Sequence, residues 1–407
     1  MFIDEYKDFN FTEKNSGAFR NLLEYERVTI PDTDEPFSDT LLMGIGGGIG
    51  AEYLTYGMKS KGKAGFYFRL SYKPSKVSSA NDWFIPRIAS RVGLKIIVYE
   101  TSSQKKFYTI LSDSLKNDKP IIIFPSLGEM RIKYPLPYSA LSLGSGLVPT
   151  YCGVVYGIDE ETNRIFLRDK RLYPFSISLE ELIEARTTKR HIAFIIESLG
   201  KVSNLEKAIR GGISDCCREL LYSKMRGVRV DAFQLWAERL ANLKDKQGWL
   251  KFSHGQLYDN FMRIHGLVKY FLSSGGGLRS TYADFLDEAS VIINNPKLRV
   301  VSLRYRKLSY KWAEFAKAVL PDSIQLFKEA SQAVKKYNAF FLDHKESAIH
   351  QLKEKNDVIK SIRRKIIDSW PFSRNETIDL LEELSQQLFS IYNDEKEAIL
   401  SLKSIID

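Results

Sequence analysis

The residues of most obvious chemical use are three thiols, Cys152, Cys216 and Cys217, and five imidazoles, His191, His254, His265, His344 and His350. A cysteine becomes a nucleophile when a helix amino end or a nearby imidazolium lowers its pKa. Cys216 and Cys217 fall in the middle of a helical pattern and Cys152 in an apolar strand-like run, so all three read as packing residues. Metal binding on a helix face needs histidines three or four apart, whereas His344 and His350 are six apart and His254 and His265 eleven. With no C-x-x-C knuckle either, no metal is expected.

A glycine run, Gly44-Ile45-Gly46-Gly47-Gly48-Ile49-Gly50, contains Gly46-x-Gly48-x-x-Ala51, the dinucleotide fingerprint in its alanine form. That fingerprint needs a ribose-binding acid about 20 residues further on, and residues 53–81 contain no acid. The run therefore reads as a tight turn where backbone packs closely, and no cofactor is expected. Residues 273–277 lack the Gly-Lys-Ser/Thr ending of a phosphate loop and read as a turn between helices. Basic stretches at 224–229, 304–307 and 363–365 mix with aromatics, but no helix-turn-helix, zinc-finger or RNA-binding signature accompanies them, and nucleic acid is not the expected partner.

The elements that must hold these residues fall into two textures. Up to about residue 200, helical segments at 17–26 and 83–92 alternate with β-branched and aromatic runs at 65–72, 94–99, 120–124, 152–156, 164–167 and 191–196, which predict strands. Residues 151–169 read as a hairpin turned at 159–163, and the connectors do not place a helix between every pair of strands. An α+β fold is therefore expected over a doubly wound one. Beyond residue 200 the pattern is helical throughout, with cap-like Ser203-x-x-Glu206, Thr281-x-x-Asp284 and Ser373-x-x-Glu376. The last segment repeats apolar residues three and four apart, Leu381, Leu384, Leu388, Ile391, then Ala398, Leu402 and Ile405, with Glu395 interrupting the seam. After Trp370-Pro371-Phe372 it is expected to fold back on the preceding helix as a hairpin; a homodimer through the seam is the alternative.

Of the net charge of +10, residues 1–200 contribute +2 and residues 201–407 contribute +8. An acidic opening, Met1-Phe2-Ile3-Asp4-Glu5, and no apolar run near the roughly 18 residues that span a bilayer predict a soluble, cytoplasmic protein without a membrane partner.

Several segments occur in the order found in the family of butirosin biosynthesis protein H: Phe19-Arg20-Asn21-Leu22-Leu23, the stretch 37–50, Val154-Val155-Tyr156-Gly157-Ile158-Asp159, Phe166-Leu167-Arg168-Asp169 and the stretch 178–186. Residues 275–289 are similar to the helical domain of unknown function that usually follows. The resemblance implies a papain-like α+β domain over residues 1–200, of the kind seen in bacteriocin-processing cysteine peptidases, and a helical domain over residues 201–407. It implies acyl transfer without a cofactor, from a carrier-protein thioester to a small-molecule amine. A thiolate at a helix start would take the acyl group, a histidine would shuttle protons and an acid would orient the histidine.

Carried onto this sequence, the family's His-Cys pair falls on Glu13 and Lys14, its histidine on Tyr151 and its acid on Asp169. Thiol and base are both replaced, and the acid is kept. One reading is a degenerate member that binds an acyl or peptidyl carrier protein or an amine, with Lys14 at a helix start meeting a carboxylate or a phosphopantetheine phosphate. Another is an enzyme without a thiol, in which Ser16 attacks, Lys14 deprotonates it and Tyr151 carries protons. A serine without a strong neighbouring base is a poor nucleophile, which favours the first. A non-enzymatic partner subunit, using the basic helical half against an acidic carrier or nucleic acid, is the remaining alternative. The expected ligand site joins Glu13, Lys14, Ser16, Tyr151 and Asp169, with the turn at Gly46, Gly47 and Gly48 beside it.

Overall fold

Short runs of β-branched and aromatic residues pair into a six-stranded antiparallel sheet and a separate two-stranded one, and the longer amphipathic segments form helices. The computed structural model describes residues 1–3, 6, 14–31, 33–56, 63–70, 80, 83–126, 151–169, 171–186, 190–198, 202–270, 276–343 and 349–406. In chain order the first elements are α1 (Lys14–Tyr25), α2 (Asp39–Ile45), β1 (Ile49–Tyr56), β2 (Lys63–Leu70), α3 (Phe84–Arg91), β3 (Lys95–Thr101), α4 (Gln104–Lys116) and β4 (Ile121–Ile123). There follow β5 (Gly153–Asp159), β6 (Arg164–Arg168), β7 (Phe175–Ser178), α5 (Leu179–Glu184) and β8 (His191–Ser198). The remaining helices are α6 (Leu205–Tyr222), α7 (Asp231–Ala241), α8 (His254–Lys269), α9 (Arg279–Ile292), α10 (Lys297–Ala318), α11 (Gln325–Asp343), α12 (Ile349–Asp368) and α13 (Arg374–Ile406). The class is α+β, as the strand spacing implies.

The chain divides into two compact units that are interleaved in sequence instead of meeting at one cut near residue 200. The first holds Met1–Gly46, Lys73–Gly211 and Ala339–Leu352. Its six strands lie in the order β3-β8-β4-β5-β6-β7, every neighbour antiparallel. Ile121, Ile123, Val155, Ile165 and Ala193 turn one face toward Phe107, Leu111 and Leu115 of α4. Across the sheet, Trp83 meets Phe124 and Phe194 edge-on, and α1 packs on β4 and β5. Burial from both sides is why these strands read as unbroken apolar runs instead of alternating ones. A backbone bond from Leu172 to the Leu342 carbonyl, 2.9 Å, ties Ala339–Leu352 to this unit.

The second unit holds Gly47–Tyr72, Gly212–Asn338 and Lys353–Asp407. The β1–β2 hairpin belongs here because its Tyr53 is buried in helical aromatics. The ring stacks on Trp236, centroids 5.9 Å apart, and its hydroxyl accepts a hydrogen bond from Trp249 Nε1 at 3.1 Å. Leu381, Leu384, Leu388, Ile391, Ala398 and Leu402 are buried, and α13 packs along α7 and α10, where the hairpin reading had placed α12. The seam is thus satisfied within the chain. Helix α12 is instead tied to α8 by a bidentate Arg363–Asp259 pair, both contacts 2.7 Å.

Of the three cap-like motifs, only Ser373 and Glu376 form a capping box. Thr281 is buried inside α9, which starts at Arg279, and Asn204 takes the capping role expected of Ser203 by accepting from the Lys207 amide. Equivalent boxes stand at Ser178/Glu181 and Ser253/Gln256.

Glu395, the break in the seam, is fully buried and ion-paired. Its carboxylate accepts from Arg279 Nε at 2.6 Å and from Trp312 Nε1 at 2.9 Å, while Arg279 Nη1 donates to the Gly277 carbonyl at 2.7 Å. Removing one partner strands the other charge in the core, which costs about 3–5 kcal/mol. We expect Arg279→Met alone to lower the urea-unfolding free energy by about that amount, and Arg279→Met with Glu395→Leu to recover most of it; equal losses in both variants would contradict this.

Candidate functional site

The β5–β6 register pairs Val154 with Arg168, so Gly153 falls opposite Asp169, and Tyr151 comes to the same sheet end as the residues after β6. There the Tyr151 hydroxyl donates to Asp169 Oδ2 at 2.9 Å. Asp169 Oδ1 accepts both the Arg171 amide, 2.9 Å, and Arg171 Nε, 3.0 Å. The Arg171 guanidinium lies 3.2 Å from the Phe175 ring centroid and 5.5 Å from that of Phe341, a cation–π arrangement in a buried setting. Tyr151 meets Phe175 edge-on at 6.4 Å. No more than 8 % of Tyr151, Asp169 or Arg171 is exposed. A side chain at Gly153 would put its Cβ 2.6 Å from the Tyr151 ring, so glycine there leaves room for the phenol.

Burial, and then the adjacent Asp169 charge, hold the Tyr151 phenol well above its ordinary pKa. For Asp169 burial opposes ionisation, but the Arg171 charge and the hydrogen bonds from Arg171 and Tyr151 outweigh it and bring the carboxyl below its ordinary value. The arrangement is a charged carboxylate clamped by a guanidinium and a protonated phenol. It can hold a negative charge in place; it offers no base near neutrality.

Of the other expected site residues, Lys14 opens α1 as the resemblance implies, with its side chain outside the described residues, as is all of Glu13. Ser16 is fully buried in the first turn of α1, the helix that packs on β5. The structure therefore brings Tyr151 and Asp169 together. Gly46 ends α2, and a Cβ there would lie 2.1 Å from the Phe84 ring; at Gly48, φ +66°, it would lie 2.5 Å from Tyr282. Gly47 has φ 120°. These two torsions need glycine. Gly46 and Gly48 are thus occupied by packing. Arg171 and Phe175 were not singled out from the sequence; their signal was an arginine two positions after an acid and an aromatic four positions further.

Cys216, His191 and His265 sit in settings that disfavour charge. Cys216 donates to the Ile49 carbonyl at 3.4 Å, and burial pushes its thiol up to about 11. Cys152 and Cys217 are buried as well. His191 stacks on Phe107, centroids 4.1 Å apart, and burial followed by the Arg186 charge pushes it down to about 4. His265 is bonded through Nδ1 to the Ala316 carbonyl, 2.9 Å, and through Nε2 to Ser331, 3.0 Å, and burial followed by the Lys269 charge also takes it to about 4. Among the described residues no group of three or more His, Cys, Asp and Glu could hold a metal ion, and no helix is long and apolar enough to cross a membrane.

Sheet, buried acid and helical unit together define an α+β chain built on a hairpin-borne carboxylate. The family model described as "Butirosin biosynthesis protein H, N-terminal" matches residues 13–170, and the model "Domain of unknown function (DUF4872)" matches residues 182–340. Residues 13–170 are thus similar to the N-terminal domain of that family, and residues 182–340 to the second domain. No curated protein matches the chain.

Two pH effects follow. A carboxyl with a depressed folded pKa stabilises above its unfolded value near 4 and loses that contribution as pH falls through the folded one. We expect Asp169→Asn to be less stable than the parent at pH 7 and to flatten the acid limb of a stability–pH curve; an unchanged limb would contradict the clamp. A histidine at about 4 when folded and about 6.5 when unfolded acts in the same direction, because the unfolded chain takes up its proton first and stability falls between those values on acidification. For His265 the loss by pH 5 is on the order of 2 kcal/mol, and His265→Gln should show a correspondingly smaller drop between pH 7 and 5 in urea titrations.

Proposed function

We propose that the chain is a degenerate member of the butirosin H family, with the family's cysteine and histidine replaced by Lys14 and Tyr151, that binds an acyl or aminoacyl carrier, or an amine acceptor, on a papain-like first domain. The observation that carries this reading is the Tyr151–Asp169 hydrogen bond. The resemblance puts a proton-shuttling histidine where Tyr151 stands. A phenol held above its ordinary pKa and donating to Asp169 takes no proton from an attacking group near neutrality. Asp169 is in turn matched by Arg171 and is not waiting to orient an imidazole. The same arrangement argues against Ser16 attacking with Tyr151 as its proton carrier, because the phenol is already committed.

The N-terminal family supplies the acyl-transfer context, and the residue replacements supply the loss of thiol chemistry. Substrate recognition is then the activity left for the α1 start and the Tyr151–Asp169–Arg171 end of the sheet.

The test is incubation of the full chain with an acyl thioester of a phosphopantetheinylated carrier protein, read by intact-protein mass and by binding titration. The expected result is reversible binding with no acyl adduct on protein. An adduct on Cys152, Cys216 or Cys217, or turnover that Cys152→Ala abolishes, would overturn the reading. Turnover that survives those changes and dies with Ser16→Ala would transfer it to the serine alternative.

A further inference from the structure

Helix α10 carries two stripes where folding needs one. Its inner stripe, Leu298, Val301, Tyr305, Leu308, Trp312 and Phe315, is buried in the core of the helical unit. Its outer side exposes Val300 by 59 %, Leu303 by 67 % and Tyr310 by 74 %. With Lys307 and Glu314 these residues run 300, 303, 307, 310, 314, alternating three and four, which is the spacing of a seam that meets another helix. Isolated exposed apolar residues are ordinary. Three along one register of one helix are a patch with a direction.

The charges around the patch say what fits it. Lys307 stands at the centre of the stripe with exposed Arg299 beside it, while the neighbouring Arg304 is matched by Glu397 at 3.2 Å. The one acid in the stripe, Glu314, is matched by Lys317 at 2.6 Å. A second copy of this chain, docked about a two-fold axis at the stripe's centre, would set Lys307 against its own equivalent. A bilayer surface needs a wide apolar face, and this one is a single residue wide and interrupted by Lys307 and Glu314. A partner helix with carboxylates flanking apolar residues satisfies both the spacing and the sign of the charge.

We propose that the outer face of α10 is a docking seam for an acidic amphipathic helix of a partner protein; on the reading of the previous subsection, on which this identification rests, the partner is the carrier protein. Leu303 and Tyr310 are its apolar anchors and Lys307 its charge selector.

Leu303→Glu and Lys307→Glu, both at exposed positions, are compared with the parent in the full chain, after far-UV circular dichroism has checked folding. Three probes are titrated: a phosphopantetheinylated acyl carrier protein, S-acyl pantetheine alone, and a synthetic helical peptide with leucines at three–four spacing flanked by glutamates. Each variant should weaken carrier and peptide binding on the order of tenfold, as loss of an interface anchor does, and leave S-acyl pantetheine binding unchanged. Carrier binding that the variants do not alter overturns the seam and leaves the carrier reading standing. Peptide bound at the seam with no carrier bound keeps the seam and overturns the carrier reading. Binding of neither overturns the seam, as does self-association, or attachment to phosphatidylglycerol vesicles, that the same variants abolish.

Discussion

A carboxylate removed from water must be met at once by opposite charge and by hydrogen bonds, and each unit of this chain is organised around one such group. Asp169 receives Arg171 and the Tyr151 hydroxyl; Glu395 receives Arg279 and the Trp312 indole N–H. In each case the guanidinium also lies against an aromatic ring, Phe175 at 3.2 Å or Phe233 at 5.5 Å. The desolvation of two charges is several kcal/mol per ion and is only offset when the geometry satisfies the remaining donors and acceptors. That requirement constrains the neighbours more tightly than apolar packing does. It fixes the start of α9, where Arg279 follows a left-handed Leu278, and it fixes the bend after β6 that returns the Arg171 amide to its own acid.

The consequence for chemistry lies in where protons are held. A phenol donating to an ionised acid and an acid paired with a guanidinium form a set with no member that changes charge near neutrality. Histidine, the residue suited to that range, is present in both units, but His191 and His265 are each held neutral by burial, at about 4. Cys216 is held neutral from the other side, at about 11. The described interior is thus poised for electrostatic stability and recognition more than for proton transfer.

The α+β class, the strands and the division into sheet-bearing and helical texture were legible because apolar runs and helical periodicity report burial directly. The interleaving of the units was not. Nothing local to β1 and β2 says that Tyr53 will be buried against Trp236 and Trp249, almost two hundred residues away. Nor did a seam with alternating three and four spacing reveal which helices would meet it: α13 packs on α7 and α10, not as a hairpin on α12, and Glu395, which looked like a flaw, is the residue that Arg279 needs. At the site, the resemblance located Tyr151 and Asp169, which do meet. It was silent on Arg171, because a family pattern built on a thiol and an imidazole has no place for a guanidinium. Thr281 misled for a simpler reason: cap spacing identifies a helix start only when no earlier residue has already begun the helix.

The retained acid is the feature most easily misread. An aspartate at the end of a strand, where the resemblance places an acid that would orient a histidine, suggests a working site. The energetics point elsewhere. Arg171 already matches the charge of this buried carboxylate through Oδ1, and what remains is its second oxygen, which costs free energy if left without a donor. Tyr151 is that donor at 2.9 Å, and Gly153 leaves the room its ring requires. Phenol and guanidinium together convert a group that would orient a reacting imidazole into one that fastens the β5–β6 hairpin to the segment after it. The contacts of Asp169 with Tyr151 and Arg171 thus give the acid a structural role that needs no imidazole.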